Sequence, residues 1–251
     1  MARSRWTTGP QAIVLVRHGE SVGNLADTAA REAQAEHLDL DQRDADVKLS
    51  PTGRDQADAV AAWVSGLDEA ELPSTVLSSP YRRAAETAER AMRKRGIEVV
   101  YDERLRERDL GIFDGLTGYG IRAQHPDEAA RRKKLGKFYY QPPSGESWAD
   151  VVLRVRSLLA DLRHGYDDEH IWMFTHQAVI MSFRYALEGL DEKSLLDIDR
   201  RVQIPNASFT RFYRAGNVLE LDVFADTAAV DAAGTERTAE ASSTRSGDVS
   251  A

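Results

Sequence analysis

The feature that most constrains the fold of this chain is a short apolar run, Ile-Val-Leu-Val at residues 13–16, followed immediately by Arg17-His18-Gly19. A continuous apolar run of this length, rich in β-branched residues, is typical of a strand buried on both faces of a parallel sheet. Ligands bind beyond the carboxyl ends of such strands. We therefore expect Arg17 and His18 to emerge at a ligand-binding edge, where a histidine is suited to attack phosphorus.

Segments with strand and helix patterns alternate along the rest of the chain. Ser50 and Pro51 are a suitable N-cap and first residue for a helix, and Gly216-Asn217 marks the turn of a hairpin. The alternation predicts an α/β fold, a three-layer α/β/α sandwich with a mostly parallel sheet and helices on both faces. The predicted strands lie at residues 76–77, 97–101, 171–174, 208–213 and 218–224, and the predicted helices begin near residues 25 and 52 and occupy 81–95, 148–162 and 177–187.

Composition limits the classes of function open to this chain. With 251 residues, of which 42% are hydrophobic, the chain is long enough to bury a large core. Its net charge of −8 argues against a basic surface for nucleic acid or anionic membrane, so a phosphate site has to be local. The absence of cysteine excludes disulfides, thiolate metal ligands and a cysteine nucleophile.

The domain organisation is predicted to be one domain over residues 1–226, with insertions at 25–48 and 108–146, followed by a tail. Residues 227–251 contain Ala, Thr, Ser and charged residues but no aromatic residue, a composition that predicts disorder. The sequence has no run of about 18 apolar residues, and residues 1–10 lack the apolar stretch of a signal peptide. We therefore expect a cytoplasmic protein without a membrane span.

Two further motifs follow predicted strands and are expected at the same sheet edge as His18. Residues 79–88, Ser-Pro-Tyr-Arg-Arg-Ala-Ala-Glu-Thr-Ala, open a helix, whose free N–H groups attract an anion. Within this motif the guanidinium group of Arg83 can donate two parallel hydrogen bonds to a phosphate. Arg82 is interpreted as a charged side chain on the solvent-exposed face of the helix. His176 follows the strand at 171–174, so the arginine and two histidines are expected to share one phosphate site.

These motifs together resemble the histidine phosphatase superfamily, also called the phosphoglycerate mutase-like family, over roughly residues 12–213. The resemblance implies a phosphoglycerate mutase-like fold and a reaction through phosphohistidine. It rests on four pieces of sequence, namely Arg-His-Gly-Glu-Ser at 17–21, the motif at 79–88, Leu-Arg-Glu at 105–107 ahead of Gly111, and His176.

The resemblance also implies catalytic roles. Neutral His18 attacks phosphorus in line, while Arg17, Arg83 and His176 hold the equatorial oxygens. These cationic and donor groups stabilise the transferred charge, so neither a metal ion nor another cofactor is expected.

Glu107 is the proton donor that the resemblance implies. An alkoxide leaves poorly unless it is protonated, so the carboxyl needs a raised pKa and a position close to the bridging oxygen. After the first step, the carboxylate can deprotonate water or a second hydroxyl. Glu103 and Asp109 lie nearby in sequence and remain alternative donors.

Two polar positions complete the predicted phosphate-binding set. Asn24, six residues after His18, matches a family position that lines the pocket. Gln177 stands where the family usually has glycine. It is either a phosphate ligand or only the first residue of a helix.

Three functions remain open at this point. We favour a hydrolase that acts on a small-molecule phosphomonoester, because the 108–146 insertion is only faintly similar to that of the mutases. A cofactor-dependent phosphoglycerate mutase is the second alternative. The third is a non-catalytic phosphate-binding or interaction protein on the same fold, which the presence of every expected catalytic residue disfavours.

The two insertions are the expected determinants of specificity. The basic run at residues 131–134 forms either the lip of the substrate site or a solvated helical face. Residues 25–48 follow His18 in sequence and are a candidate lid. Sugar phosphates, glycerates, nucleotides and phosphorylated proteins are all candidate substrates, and an oligomer is compatible with the sequence.

Overall fold

A computed structural model of the chain describes residues 6–240 and contains a central sheet of six strands. The strands are β1 (Ala12–Arg17), β2 (Thr75–Ser78), β3 (Val100–Tyr101), β4 (His170–Thr175), β5 (Phe209–Ala215) and β6 (Val218–Asp226). Their order across the sheet is β3-β2-β4-β1-β5-β6. The first four strands in this order are parallel, whereas β5 pairs antiparallel with both β1 and β6. The predicted mostly parallel sheet and the terminal hairpin are thus confirmed.

Helices cover both faces of the sheet. In chain order they are α1 (Val22–Glu32), α2 (Pro51–Ser65), α3 (Arg82–Arg93), α4 (Gly118–Gln124), α5 (Pro126–Leu135), α6 (Trp148–Leu162), α7 (Gln177–Glu188), α8 (Glu192–Arg201) and α9 (Ala228–Ala232). Across residues 6–240, none of them is both long enough and apolar enough to cross a bilayer.

The alternation of side chains along β1 separates the core into two layers. Ile13 and Leu15 pack on the side of α6 and α7, whereas Val14 and Val16 pack on the side of α2, α3 and α9. Because successive side chains of a strand point to opposite faces, a strand that is apolar at every position needs helices on both sides. The three-layer α/β/α prediction is therefore confirmed.

The strand predicted at residues 97–101 is shorter in the structure. Only Val100 and Tyr101 pair with β2, at the edge of the sheet. These two residues are 50% and 47% exposed, whereas Ile97 and Val99 are partly buried against the α2 and α3 layer without pairing in the sheet.

The insertions contain more helix than the sequence predicted. Residues 25–48 begin within α1 and end after a short 3-10 turn at Asp44–Asp46. The insertion at 108–146 contains α4 and α5, and the basic run at 131–134 lies on α5 with mostly exposed side chains. This exposure favours a solvated helical face for the run.

The prediction of a disordered tail is wrong for residues 227–240. Here α9 buries Ala229 and Val230 against the α2 and α3 layer, and the chain continues in contact with the domain up to Glu240. These two small apolar side chains are sufficient to order the segment, because they pack into the existing core layer of the domain and need no separate core. Residues 241–251, the rest of the predicted tail, lie outside the described residues.

Candidate active site

The carboxyl ends of β1 and β4 bring His18 and His176 together. Arg17 pairs with Thr175 in the parallel ladder, and the His18 N–H donates to the Thr175 carbonyl at 3.0 Å. The two imidazole rings that follow are buried, with their centroids 5.1 Å apart. The structure thus places both predicted histidines in one pocket at the predicted sheet edge.

The loop of His18 fixes the protonation of its imidazole. Its Nδ1 lies 2.7 Å from the carbonyl oxygen of Gly19. A carbonyl oxygen only accepts hydrogen bonds, so Nδ1 carries the proton and Nε2 keeps its lone pair. Burial lowers the pKa of His18 well below its usual range, and the positive charges of Arg83 and Arg17 lower it further. His18 is therefore neutral near pH 7, with Nε2 suited to nucleophilic attack.

This loop also packs tightly against the start of α2. A Cβ at Gly19 would lie 2.4 Å from the Gly53 carbonyl oxygen, and a Cβ at Gly53 would lie 1.8 Å from the Glu20 carbonyl oxygen. Only glycine fits at both positions, because a Cβ atom cannot approach backbone oxygen that closely. The Gly19 N–H donates to Thr87 Oγ1 at 3.1 Å, which links the loop to α3.

Arg83 lies in the first turn of α3 and faces the pocket. It is buried, whereas its neighbour Arg82 is exposed, in agreement with the different roles predicted for them. Its guanidinium donates to both carboxylate oxygens of Asp44, at 2.9 and 3.1 Å, and to the Asp44 carbonyl at 2.7 Å. Asp44 belongs to the 25–48 insertion, so this segment contacts the site directly.

Arg17 is almost completely buried beside His18. Its Nη1 donates to the carbonyl oxygen of Ile204, and its Nη2 donates to Glu240 Oε2 at 3.0 Å. Its Nε is buried without a hydrogen-bond partner in the described part of the chain. Burial lowers the pKa of Arg17, and the charge of Glu240 opposes that shift. Both predicted phosphate-binding arginines therefore hold carboxylates in this structure.

His176 is the N-cap of α7 and is fully buried. Burial lowers its pKa well below the usual range, and the charge of Arg83 contributes. Its Nδ1 is buried with no hydrogen-bond partner among residues 6–240. A buried ring nitrogen without a partner is costly unless a ligand satisfies it, and a protonated Nδ1 would be suited to contact a phosphoryl oxygen.

Glu107 enters the pocket after a short 3-10 turn that ends at Leu105. The Thr175 hydroxyl donates to the Leu105 carbonyl at 2.7 Å and so fixes this turn to the end of β4. Burial raises the pKa of Glu107, although the N–H of Arg108 and the charge of Arg83 oppose the shift. The charge of Glu107 also acts on Arg17, and a carboxyl with a raised pKa at such a site is suited to protonate a leaving group.

The alternative proton donors lie outside this environment. Glu103 and Asp109 are both exposed. Asp109 uses its carboxylate to accept the Gly111 N–H at 2.7 Å. Glu107 is thus the carboxyl whose burial suits acid catalysis.

Asn24 and Gln177 lie near the histidines, but their amides contact other protein groups. Asn24 Oδ1 accepts from the N–H and the hydroxyl of Ser21, at 3.0 and 3.1 Å, and so caps α1. Gln177 Nε2 donates to Asp199 at 3.3 Å, while its Oε1 is buried without a hydrogen-bond partner in the described residues. Phosphate binding by these two side chains stays a prediction.

A second cationic group flanks the pocket around Trp148. Arg108 and Lys137 lie over its ring, at 5.9 and 5.7 Å from the ring centroid. Lys137 also pairs with Asp199 at 2.8 Å, the same carboxylate that Gln177 contacts. Arg108 follows Glu107 in the sequence, and Gln177 follows His176. The cationic group of Arg108 and Lys137 therefore borders the catalytic residues.

Four residues of the site were not assigned a role from the sequence. Ser79 contacts His176, Asn206 Nδ2 donates to the His18 carbonyl at 3.1 Å, and Asp44 and Glu240 hold the arginines. Of these four residues, only Ser79 could have been identified from the sequence, because it begins the motif at 79–88. The others lie in loops or in a segment whose composition predicted disorder.

Comparison with known proteins agrees with this geometry. The family model of the histidine phosphatase superfamily (branch 1) matches residues 13–227. A 6-phosphofructo-2-kinase/fructose-2,6-bisphosphatase of Gallus gallus is 32% identical over 173 residues, which cover 68% of this chain and 31% of that protein. A glucosyl-3-phosphoglycerate phosphatase of Mycobacterium tuberculosis is 36% identical over 150 residues, covering 60% of this chain and 59% of that protein. The chain thus spans 31% and 59% of the lengths of these two relatives.

A solved structure is similar over nearly its whole length. Mycobacterial glucosyl-3-phosphoglycerate phosphatase in complex with inorganic phosphate superposes with a TM-score of 0.69 at 28% identity. The match covers 88% of this chain and 99% of that one.

Proposed function

Because this chain belongs to the histidine phosphatase superfamily (branch 1), we propose that it hydrolyses phosphomonoesters through a phosphohistidine at His18. The main support is the geometry of the site, where the buried rings of His18 and His176 lie 5.1 Å apart and the arginines Arg17 and Arg83 are buried with them. Burial lowers the pKa of His18 well below its usual range and raises the pKa of Glu107. One group is thereby prepared to attack and the other to protonate the leaving oxygen.

In the first step, His18 Nε2 attacks phosphorus and the bond to the ester oxygen breaks. Glu107 gives its proton to that oxygen, and the alcohol leaves. Arg17, Arg83 and the Nδ1–H of His176 stabilise the charge on the phosphoryl oxygens. For this the two arginines exchange their carboxylate partners for phosphoryl oxygens.

In the second step, the Glu107 carboxylate accepts a proton from water, and the water oxygen attacks phosphorus. The bond between phosphorus and Nε2 breaks, so that inorganic phosphate forms and His18 becomes neutral again. Glu107 ends the cycle protonated, as it began.

Solvent access favours hydrolysis over transfer to a second hydroxyl. The carboxylates next to the arginines, Asp44 and Glu240, are each 40% exposed, so water reaches this side of the pocket. A mutase has to protect its phosphohistidine from water. The names of the bisphosphatase and phosphatase relatives support the same choice.

The substrate class we propose is a phosphorylated sugar or sugar acid with a second anionic group. Arg108 and Lys137 supply positive charge beside Trp148, whose buried Nε1 has no hydrogen-bond partner within residues 6–240. The buried Oε1 of Gln177 is an acceptor suited to a hydroxyl group. The names of the two relatives specify a fructose bisphosphate and a glucosyl phosphoglycerate, which share this combination of hydroxyls and a second anion.

The direct test is intact-mass analysis of the protein after brief exposure to p-nitrophenyl phosphate at neutral pH. We expect a phosphoryl adduct on the unaltered protein and on His164→Ala, because His164 is exposed. His18→Ala should show neither adduct nor turnover. An adduct that persists in His18→Ala would refute the assigned nucleophile, and no adduct or turnover with any phosphomonoester would support the non-catalytic alternative.

A second assay separates hydrolysis from transfer. The protein is offered 3-phosphoglycerate with a trace of 2,3-bisphosphoglycerate, and inorganic phosphate and 2-phosphoglycerate are both measured. Release of inorganic phosphate is the expected result. Rapid formation of 2-phosphoglycerate without inorganic phosphate would identify a mutase instead.

A further inference from the structure

The chain after α9 returns to the active site and is held there by side chains of the domain. Gln56 Nε2 donates to the Glu236 carbonyl and to Thr238 Oγ1, both at 2.9 Å. The Asn206 N–H donates to the Thr238 carbonyl at 2.8 Å, and Thr238 Oγ1 donates to Asn206 Oδ1 at 3.1 Å. Thr238 is thus the anchor of this segment.

The anchors of the segment are also neighbours of the nucleophile. Gln56 Oε1 accepts the Glu20 N–H at 2.8 Å, and Asn206 Nδ2 donates to the His18 carbonyl at 3.1 Å. The same side chains therefore fix both the His18 loop and Thr238. This arrangement places the segment next to the phosphate pocket rather than elsewhere on the surface.

Glu240, two residues beyond the anchor, reaches the guanidinium of Arg17. Arg17 Nη1 donates to the Ile204 carbonyl oxygen, and Arg17 Nη2 donates to the Glu240 carboxylate at 3.0 Å. The Arg17 side chain is 1% exposed and the Glu240 side chain is 40% exposed. Glu240 is therefore the solvent-facing member of the pair and the one that is free to leave.

We propose that Glu240 is an internal competitor for the phosphate position on Arg17, which a bound phosphoryl group has to displace. The inference rests on the proposed function, in which Arg17 binds a phosphoryl oxygen. Carboxylate and phosphate oxygens are the same kind of acceptor for a guanidinium, and two anions at one donor repel each other. Glu240 therefore weakens the binding of substrate and of inorganic phosphate alike, and so favours release of the product.

The neighbouring Glu107 is consistent with this arrangement. The negative charge of Glu240 contributes to the raised pKa of Glu107. Asp44 makes a comparable contact with Arg83, but that contact includes the Asp44 carbonyl, so the backbone holds it in place. Glu240 contacts Arg17 through its side chain alone.

Equilibrium binding of inorganic phosphate to the full chain tests the proposal by calorimetry, without any turnover. Glu240→Gln removes the charge and keeps the shape. We expect Glu240→Gln to bind phosphate about two- to five-fold more tightly than the unaltered protein, the range for one partly exposed ion pair. Glu236→Gln is the matched control. It changes the same charge at an exposed side chain in the same segment, and it should bind phosphate as the unaltered protein does.

A second variant, Thr238→Val, keeps the side-chain shape but removes the hydroxyl contacts with Gln56 and Asn206. It should also tighten phosphate binding, because the segment loses two of its four hydrogen bonds to Gln56 and Asn206. Equal or weaker binding by Glu240→Gln would overturn the proposal, whatever its activity. The proposed hydrolysis is judged separately by the phosphoryl adduct on His18, so either idea can fail while the other holds.

Discussion

His176 Nε2 lies 2.9 Å from the hydroxyl oxygen of Ser79, and this contact determines which nitrogen of the imidazole carries the proton. Ser79 Oγ accepts the Tyr81 N–H at 3.2 Å, and among residues 6–240 His176 Nε2 is the acceptor left for the hydroxyl proton, so we assign Ser79 as the donor to His176. A neutral imidazole that accepts at Nε2 is protonated at Nδ1. Nδ1 is the buried nitrogen that has no hydrogen-bond partner in the described chain. Ser79 thus prepares His176 to donate to a phosphoryl oxygen.

We predict that Ser79→Ala lowers kcat about ten-fold, because the loss of one orienting hydrogen bond costs roughly 1 to 1.5 kcal/mol. Steady-state hydrolysis of p-nitrophenyl phosphate measures this effect, and ¹⁵N NMR of His176 shows whether the proton still resides on Nδ1. Ser79→Thr keeps a hydroxyl and should recover part of the rate. Ser78→Ala is the control, since the Ser78 hydroxyl donates to the Ser79 carbonyl and not to His176. If His176 keeps the same tautomer in Ser79→Ala, then Ser79 does not orient the imidazole and contributes only to packing.

The pH dependence of hydrolysis follows from the opposite shifts of His18 and Glu107. Ordinary pKa values of about 6.5 for histidine and about 4.3 for glutamate would rarely allow a neutral imidazole and a protonated carboxyl together. Here the pKa of His18 is lowered and that of Glu107 is raised, and both shifts favour the coexistence of the two required forms. Activity should fall at low pH as His18 becomes protonated and at high pH as Glu107 loses its proton. We therefore predict an optimum of kcat/KM on the acid side of neutrality.

The Glu107→Gln variant separates the role of this proton from binding. It should lose about 10²- to 10⁴-fold in kcat/KM for alkyl phosphates, the usual contribution of general acid catalysis. Formation of the phosphohistidine from p-nitrophenyl phosphate should suffer less, because p-nitrophenolate leaves without protonation. The alkaline fall in the pH profile should also disappear. Equal losses with both substrates would mean that Glu107 serves binding rather than proton transfer.

The sequence was sufficient to predict the sheet edge and the histidines on it, because each signal there is local. An apolar run buried on both sides requires a parallel sheet, and a polar residue at its end is placed at the edge. The different roles predicted for Arg83 and Arg82 also follow from a local signal, the motif at residues 79–88. Burial of Arg83 and exposure of Arg82 agree with it.

The sequence was not sufficient to predict the carboxylates on Arg17 and Arg83. Asp44 and Glu240 contact partners 39 and 223 residues away, and no periodic pattern marks such a pairing. The segment before Glu240 is rich in alanine and lacks aromatic residues, so its composition resembles a disordered tail. Its order depends on hydrogen bonds to Gln56 and Asn206, which only the fold brings near.

The proposed second anion site predicts a change in substrate preference. Lys137→Met should raise KM about ten-fold for a sugar bisphosphate and leave KM for p-nitrophenyl phosphate nearly unchanged, because the latter has no second anion to lose. Lys134→Met removes the same charge from an exposed position on α5 and serves as the control. A similar rise in KM for both substrates would argue that Lys137 supports the fold through Asp199 instead.

The order of residues 227–240 predicts a measurable contribution of α9 to stability. Val230 is fully buried against the α2 and α3 layer, so Val230→Ala should lower the free energy of unfolding by about 2 kcal/mol through lost burial and a small cavity. Leu153→Ala, at a side chain that is 62% exposed, should have little effect in the same denaturant titration. Release of the α9 segment should also loosen the contact of Glu240 with Arg17. If Val230→Ala unfolds at the same denaturant concentration as the unaltered protein, then α9 does not pack on the domain in solution.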